Sequence, residues 1–231
     1  MNKAERAVRK SIIDACLSMN SLGINQGTSG NISARFEDRM LITPTSVAYD
    51  ELLPEDIMAT PIAGGGDRWE GPLQPSSEWR FHLRILRDRP DVGAVVHTHS
   101  IYATVLAICH KPIPAVHYMV AAAGGPDIRV ARYATFGTEE LSDNAVEALE
   151  GRSACLLGNH GVIATGSGVK KALWLAVEVE TLARQYYLSL ALDGARILPD
   201  DEIARVKEKM KTYGGRSKAG AAPAPRRPSR Q

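Results

Sequence analysis

Hydrophobic residues along this chain follow two spacings, one typical of helices and one of strands. Over residues 4–20, Ile12, Ile13 and Cys16 share one helical face opposite Arg and Lys, which predicts a first helix. Further helices are predicted for WRFHLRILRD, IYATVLAICH, residues 139–149, KKALWLAVEVETLARQYYLSLALDG and residues 200–212. Strands are predicted for GTSGNISARF, MLITPTS, VGAVVHTHS, RVARYATFG and ACLLGNHGVIATG. Glycines and prolines in residues 61–75 indicate a hairpin loop.

Few of these elements form regular β-α-β repeats, so the pattern predicts an α+β or three-layer α/β domain. The chain has 231 residues, enough for one domain with a full core. We therefore expect a single domain over residues 1–213. Residues 214–231 are rich in Gly, Ala, Pro and Arg, a composition that cannot form a core and predicts a disordered tail.

Charge and hydropathy exclude two classes of function. The tail carries five basic residues and no acid, and without it 23 basic face 26 acidic residues, a net charge of −3. A mildly acidic body and a solvated tail do not favour nucleic-acid binding. No apolar run reaches the roughly 18 residues needed to span a bilayer, and residues 1–20 lack a signal-peptide core. We expect a cytoplasmic protein whose three cysteines are buried and form no disulfides.

Polar residues at the ends of apolar runs supply a potential metal site. Glu78 lies in PSSEWRFH, His97 and His99 in VVHTHS, and His160 in LLGNHG. Residues i and i+2 of a strand face the same side, so both His97 and His99 can reach one ion. Three imidazoles and one carboxylate suit Zn²⁺ or a similar ion. In isolation, His-x-His can also be two polar residues at a strand end, and His160 an ordinary turn histidine.

Glu78 has a second possible partner, because His82 lies four residues later on the same helical face. That pair could form a local metal site or a capping contact. We favour Glu78 joining the three distant histidines, with His82 as a structural or supporting group. Ser76 or Ser77 is expected to cap the helix, with Glu78 in its first turn.

A second group of residues is suited to bind an anion. Thr28, Gly30 and Asn31 lie in a tight glycine-rich turn that offers backbone amides and small polar side chains. Thr45 and Ser46 follow Pro44, and Ser76 and Ser77 precede a helix, where free amides favour phosphate. No segment matches a Walker loop or a Gly-x-Gly-x-x-Gly turn, so a nucleotide site is not expected.

The order of motifs along the chain resembles the class II aldolase/adducin family. The motifs that carry the resemblance are NQGTSGNIS, MLITPTS, PSSEWRFH, VVHTHS, PAVHYMVAAAGG, YATFGTEELS, LLGNHGVIA and KALWLAVEVE. They cover residues from about 5 to 214. The resemblance implies a central, mostly antiparallel sheet flanked by helices, and a homotetramer with active sites at subunit boundaries.

The resemblance also implies roles for individual residues. Zinc, or another divalent ion such as Mn²⁺ or Co²⁺, would be held by Glu78, His97, His99 and His160. The phosphate of a sugar phosphate would lie against Asn31, Thr45, Ser46, Ser76 and Ser77, although the family has glycine at the position of Ser46. Tyr118 would be a catalytic tyrosine contributed by a neighbouring subunit, Tyr213 would fold over the site, and Phe136 would line the aldehyde end.

The implied reaction is cleavage of a ketose 1-phosphate into dihydroxyacetone phosphate and an aldehyde. Candidate substrates are L-fuculose 1-phosphate, 5-deoxyribulose 1-phosphate and 5-methylthioribulose 1-phosphate. Methylthioribulose-1-phosphate dehydratases and sugar-phosphate 4-epimerases of the same family are the alternatives. The epimerases have aspartate in place of Glu78 and lack HYMVAAAGG, and structural members such as adducin lack the metal ligands. No lysine lies in the motifs that carry the metal and phosphate candidates, so a Schiff-base route lacks a candidate.

Overall fold

The computed structural model of the protein describes residues 1–66 and 68–212. The strands are β1 (Asn31–Phe36), β2 (Arg39–Ile42), β3 (Met58–Pro61), β4 (Ala94–Thr98), β5 (Val130–Ala131), β6 (Ala154–Leu157) and β7 (Gly161–Gly166). The helices are α1 (Lys3–Ser21), α2 (Trp79–Asp88), α3 (Ile101–Ile108), α4 (Glu139–Ala148), α5 (Val169–Ser189) and α6 (Asp200–Thr212). Short 3₁₀ helices cover Pro54–Asp56 and Tyr118–Ala123.

The seven strands form one sheet in the order β3-β2-β1-β4-β7-β6-β5. All neighbouring strands pair antiparallel except β5 and β6, which pair parallel. The expected mostly antiparallel sheet is therefore confirmed, although the sheet is mixed. In the central strand β4, His97 lies opposite Asn31 of β1 and Ile163 of β7.

Helices cover both faces of the sheet, which confirms the expected three layers. In β4, Ala94 and Val96 face the core shared with α1, α3 and α5, whereas Val95 faces the core shared with α2 and α4. This alternation follows from the two-residue period of a strand. His97 has the same parity as Val95, and its ring contacts Phe81 of α2 with centroids 5.5 Å apart.

The start of α2 differs from the expected capping. The helix begins at Trp79 and Glu78 is its N-cap residue, but the Glu78 side chain makes no capping hydrogen bond. The Ser76 hydroxyl instead accepts a hydrogen bond from the Glu78 backbone N–H at 3.3 Å. The Glu78 carboxylate is thus free to point into the interior, where it is buried.

Several elements differ in extent from the sequence prediction. The stretch RVARYATFG forms only the two-residue strand β5, and ACLLGNHGVIATG folds into the β6–β7 hairpin. Strand β3 was not predicted, because its four residues are too few to show a period. It also pairs with β2 across a long loop, and local patterns do not reveal such a pairing. The 3₁₀ helix at Tyr118–Ala123 was also missed, since HYMVAAAGG has no regular apolar period.

Two further expectations concern the chain termini and the cysteines. Tyr213 and the tail at 214–231 lie outside the described residues, so the domain boundary remains a prediction. Within the described ranges, none of the helices is both long and apolar enough to cross a bilayer. Cys16 and Cys155 are buried and unpaired as expected. The expectation that Cys109 is buried was wrong, because it follows the last turn of α3 and faces outward.

Candidate metal and phosphate site

Glu78, His97, His99 and His160 meet at the end of the central strands. One ligand atom from each lies within 4.8 Å of the others. The Nε2 atoms of His97 and His99 are 3.0 Å apart, and Glu78 Oε2 is 3.2 Å from His97 Nε2. Glu78 Oε1 is 3.1 Å from His160 Nε2. Three segments distant in sequence thus converge on one small volume.

The backbone around the cluster determines which ring nitrogen of His97 is available. His97 Nδ1 lies 2.8 Å from the Val162 carbonyl oxygen, which can only accept a hydrogen bond. In the neutral ring, Nδ1 therefore carries the proton and Nε2 keeps its lone pair. This backbone contact is the arrangement that fixes a metal-binding histidine in many proteins.

The distances within the cluster fit a divalent metal ion. Ligands about 2.0–2.2 Å from a tetrahedral zinc lie about 3.3 Å from one another. The three separations of 3.0, 3.1 and 3.2 Å are close to this value. Glu78 Oε1 is buried and lacks a well-formed hydrogen bond, although His160 is near. A cation would satisfy this oxygen and the facing imidazole lone pairs together.

The electrostatics of the cluster favour an ionised Glu78 carboxylate and a neutral His99 ring. Burial raises the pKa of Glu78, but the charge on His97 and the close contacts with His160 lower that pKa by more, to well below its usual range. Burial lowers the pKa of His99 to about 4, assisted by His97 and His160 and opposed by Glu78. Deprotonated imidazoles and carboxylates are the forms that bind metals.

A buried chain of hydrogen bonds leads away from Glu78. Asn31 Nδ2 donates to Glu78 Oε2 at 2.9 Å, and Asn31 Oδ1 lies 2.5 Å from His82 Nε2. The other His82 nitrogen, Nδ1, lies 2.8 Å from Ser33 Oγ. Burial, together with His97, lowers the pKa of His82 to about 3 despite Glu78, so its ring is neutral. The expectation that His82 has a supporting role agrees with these contacts.

Gly161 gives the histidines room in the β6–β7 hairpin. A Cβ at this position would lie 2.5 Å from the Thr98 carbonyl oxygen and 2.9 Å from His99 Cδ2. It would also lie 3.3 Å from His97 Cε1. The glycine that follows His160 thus lets the hairpin approach β4 closely enough for the imidazoles to meet.

The two serine segments expected to bind phosphate are connected by one isolated β-bridge. Pro44 and Pro75 pair antiparallel in this bridge, so that the Thr45 N–H donates to the Gln74 carbonyl and the Ser76 N–H to the Thr43 carbonyl. Ser76 is buried, whereas Thr45, Ser46 and Ser77 are exposed. Ser46 has φ 59°, in the left-handed region that favours glycine. Ser76 and Ser77 thus lie at the start of α2, immediately before Glu78, whereas Thr45 and Ser46 leave the bridge in the opposite direction.

The glycine-rich turn is held against the strand that carries His97. A Cβ on Gly30 would lie 2.7 Å from the His97 carbonyl oxygen, and the Gly30 carbonyl accepts a hydrogen bond from Tyr49 at 2.5 Å. Thr28 is exposed at the far side of this turn. Asn31, the first residue of β1, is buried and contacts Glu78 directly. The turn therefore brings Asn31 into the site, whereas the Thr28 side chain is exposed on the surface.

Two of the three aromatic residues expected at the site lie on exposed surfaces of the chain. Tyr118 is 51% exposed and packs against His117, with ring centroids 4.5 Å apart. Phe136 is 62% exposed. Its neighbour Gly137 accepts a hydrogen bond from Arg80 of α2 at 2.9 Å, which holds the Phe136 loop beside the start of that helix. Tyr213 lies outside the described residues.

Sequence patterns did not identify Ser33 or the contact between Asn31 and Glu78. Ser33 is fully buried in β1 and lies 49 residues from its partner His82. A small polar residue with the same strand parity as Asn31 was the available signal, but alternation does not reveal the partner.

Comparison with known proteins identifies the class to which this fold and site belong. The sequence model of the family described as "Class II Aldolase and Adducin N-terminal domain" matches residues 10–187. The match covers most of the chain, so the chain belongs to this family. The resemblance inferred from the motifs is thereby confirmed.

Individual relatives place the chain among the aldolases of the family. It is 55% identical over 218 residues to a 5-methylthioribulose-1-phosphate/5-deoxyribulose-1-phosphate aldolase of Rhodospirillum rubrum, covering 94% of this chain and 97% of the relative. It is 53% identical over 206 residues to the L-fuculose phosphate aldolase of Escherichia coli K12, covering 89% and 94%. A solved L-fuculose 1-phosphate aldolase matches with TM-score 0.85 and 40% identity, covering 89% and 96%. The chain is thus a class II aldolase, a carbon–carbon lyase.

Proposed function

We propose that this enzyme reversibly cleaves a ketose 1-phosphate into dihydroxyacetone phosphate and an aldehyde. The observation that carries the proposal is the cluster of buried Glu78 and His97 with half-buried His99 and His160, immediately beside Ser76 and Ser77. A cation and a phosphate bound at these positions would hold the two ends of the dihydroxyacetone phosphate half. The relatives named above act on ketose 1-phosphates that share this half.

The metal in this proposal is zinc, with Mn²⁺ and Co²⁺ as possible replacements. Three imidazole nitrogens and one carboxylate form a donor set that suits zinc. When bound, the cation supplies a Lewis acid that stabilises the negative charge developing on the ketone oxygen. Its ligands would be Glu78, His97, His99 and His160.

The residues around the cluster would move the protons of the reaction. Cleavage breaks the bond between the third and fourth carbons, and the fourth-carbon hydroxyl loses its proton as the aldehyde forms. Tyr118 of a neighbouring subunit would accept that proton. Glu78, released from the cation as substrate binds and protonated from solvent, would deliver that proton to the third carbon, which completes dihydroxyacetone phosphate, and Tyr118 would return its proton to solvent. In synthesis each proton would move the opposite way.

The phosphate would be bound without a lysine or arginine. Ser76 and Ser77 lie at the start of α2, and Thr45 and Ser46 follow Pro44, which pairs antiparallel with Pro75. The Asn31 amide has two donor hydrogens, of which one points to Glu78 and the other could bind phosphate. Backbone amides of the turn at Thr28 and Gly30 would complete the site.

The remaining parts of the proposal concern assembly and location. A homotetramer would bring the exposed Tyr118 to the cluster of a neighbouring subunit, while Phe136 would line the aldehyde end. Tyr213 would close over the bound substrate. We place the enzyme in the cytoplasm, where its sugar-phosphate substrates occur.

The direct test is dihydroxyacetone phosphate release from a panel of ketose 1-phosphates, coupled to its reduction by a second enzyme. The panel contains L-fuculose, 5-deoxyribulose and 5-methylthioribulose 1-phosphates. We expect release with at least one, its loss on chelation, and recovery with a divalent ion. Full activity in metal-free protein would contradict the metal mechanism. Substrate consumption without dihydroxyacetone phosphate would instead indicate a dehydratase or an epimerase.

The roles of Glu78 and Tyr118 can be tested together by subunit mixing. Glu78→Gln and Tyr118→Phe should each strongly reduce turnover as pure proteins. If the site is shared between subunits, co-refolded mixtures regain activity, because some sites combine an intact Glu78 with an intact Tyr118. Absence of recovery in verified hybrid oligomers would contradict a shared site.

A further inference from the structure

We propose that His82, oriented by Ser33, is a positioning residue that holds Asn31 and, through it, the Glu78 carboxylate in place. The inference rests on the proposed function, since it takes Glu78 to be a metal ligand. His82 itself touches neither the cluster nor the expected position of substrate. Its effect would pass entirely through the Asn31 amide.

The direction of each hydrogen bond in the chain follows from its chemistry. The Glu78 carboxylate can only accept, so the amide that faces it must be Nδ2 of Asn31, at 2.9 Å. Asn31 Oδ1 then faces His82 Nε2 at 2.5 Å, and because Oδ1 can only accept, Nε2 must carry the proton. The neutral ring leaves Nδ1 as an acceptor, which takes the Ser33 hydroxyl proton at 2.8 Å.

This polarity makes His82 the group that selects one orientation of the amide. If the Asn31 amide rotated by half a turn, Oδ1 would face the Glu78 carboxylate and Nδ2 would face the N–H of His82. Both contacts would then be repulsive. After a change of tautomer the Ser33 hydroxyl could accept from Nδ1, but its buried proton would lose Nδ1 as its acceptor, so Ser33 opposes that change.

Burial makes these contacts hard to replace by water. Ser33 and His82 are fully buried, and Asn31 and Glu78 are each 5% exposed. The His82 ring also stacks on Phe81, with centroids 4.5 Å apart, which fixes its plane. In a chain enclosed in this way, only one arrangement gives every polar group a hydrogen-bond partner. That arrangement orients Glu78 Oε2 toward His97.

The test compares zinc affinity by chelator competition in His82→Phe, His82→Gln and a control, Thr165→Val. Phenylalanine keeps the stacking but cannot bond to Asn31, and we expect affinity to fall about 10–100-fold, as for other groups that support metal ligands. Glutamine can place an N–H near the position of Nε2 and should recover part of the loss. Thr165→Val removes a buried hydroxyl bonded to Ser153 and should leave zinc affinity unchanged.

A double-mutant cycle identifies the route of the effect. In an Asn31→Ala background, His82→Phe should cause no further loss of zinc affinity, because the connection to Glu78 is already absent. Equal losses in both backgrounds would overturn the proposed route. Should His82→Phe fail to fold, Ser33→Ala provides the test, with an expected severalfold loss.

The outcomes separate this inference from the function on which it rests. Wild-type protein that neither binds zinc nor releases dihydroxyacetone phosphate would remove the proposed function. Wild-type protein that does both, together with unchanged zinc affinity in His82→Phe and Ser33→Ala, would overturn only the positioning role. If His82→Phe lost thermal stability but kept its zinc affinity, His82 would contribute to packing only.

Discussion

Substitution of Gly161 by alanine should weaken metal binding through a displacement that the structure allows us to estimate. The added Cβ would lie 2.9 Å from His99 Cδ2 and 2.5 Å from the Thr98 carbonyl oxygen, whereas ordinary contact begins at 3.4 Å. The His99 ring must therefore move by about 0.5 Å, and the hairpin that carries Gly161 must move by about 0.9 Å to clear the Thr98 carbonyl oxygen. Metal–ligand distances tolerate about 0.2 Å.

The expected loss follows from comparing these two distances. A ligand displaced beyond its tolerance should reduce zinc affinity about 10–100-fold, equivalent to about 1.4–2.7 kcal/mol. The free energy of unfolding of the metal-free protein should also fall, by about 1–3 kcal/mol, because the site is overpacked. Zinc competition against a chromophoric chelator and urea unfolding of metal-free protein measure the two effects separately.

Gly168 provides a matched control for the Gly161 substitution. A Cβ on Gly168 meets nothing within 4 Å, and its φ of 173° is extended backbone that alanine can adopt. Gly168→Ala should leave zinc affinity unchanged, and because Gly168 is the N-cap of α5, the poorer capping by alanine should offset the gain from restricting the unfolded chain. Zinc affinity within twofold of wild type in Gly161→Ala would refute the argument from close approach.

Three further predictions concern single residues. Ser46→Gly should raise the free energy of unfolding by about 0.5 kcal/mol in urea titrations. Glycine removes the strain of the left-handed backbone at φ 59°, and this gain exceeds the loss from a more flexible unfolded chain. A lower free energy of unfolding in Ser46→Gly would contradict this reasoning. Burial raises the pKa of Glu5, but Arg9 and Arg39 outweigh it and lower that pKa below its ordinary value. The ionised Glu5 therefore stabilises the fold above about pH 4.5, and this contribution is lost as the pH falls. Urea unfolding should show a smaller loss at acidic pH in Glu5→Gln than in wild type, and an identical loss would exclude Glu5 as its source. Tyr118→Phe should lower kcat by about 10²–10⁴ with unchanged zinc affinity, and an unchanged kcat would exclude proton transfer by Tyr118.

The convergence of the four cluster residues was predictable from local patterns. His97 and His99 follow an apolar run of strand composition, and His160 follows another, so both segments indicate polar groups at or just after the end of a strand. Glu78 directly follows Ser76 and Ser77, whose position before a helix already indicated an anion site. Residue types and their placement at the ends of helices and strands were therefore enough to select the four candidate ligands, without knowledge of the sheet order.

The contacts that sequence reasoning missed are long-range. Ser33 and His82 are 49 residues apart, and neither has a neighbour in sequence that signals the other. The exposure of Tyr118 likewise depends on how the 3₁₀ helix packs, which periodicity does not describe. Local patterns predict which face a side chain occupies, but the partner on that face depends on the packing of distant elements.

The central position of β4 ties the completion of the site to the last steps of folding. His97 pairs across the sheet with Asn31 and with Ile163, and each partner lies 66 residues away along the chain. Closing a loop of this length costs about 4 kcal/mol of free energy in lost chain entropy, and this cost precedes any stabilising contact. Pairings so distant in sequence slow folding. A partly folded chain would therefore lack the complete ligand set, and tight metal uptake would report that both long loops have closed.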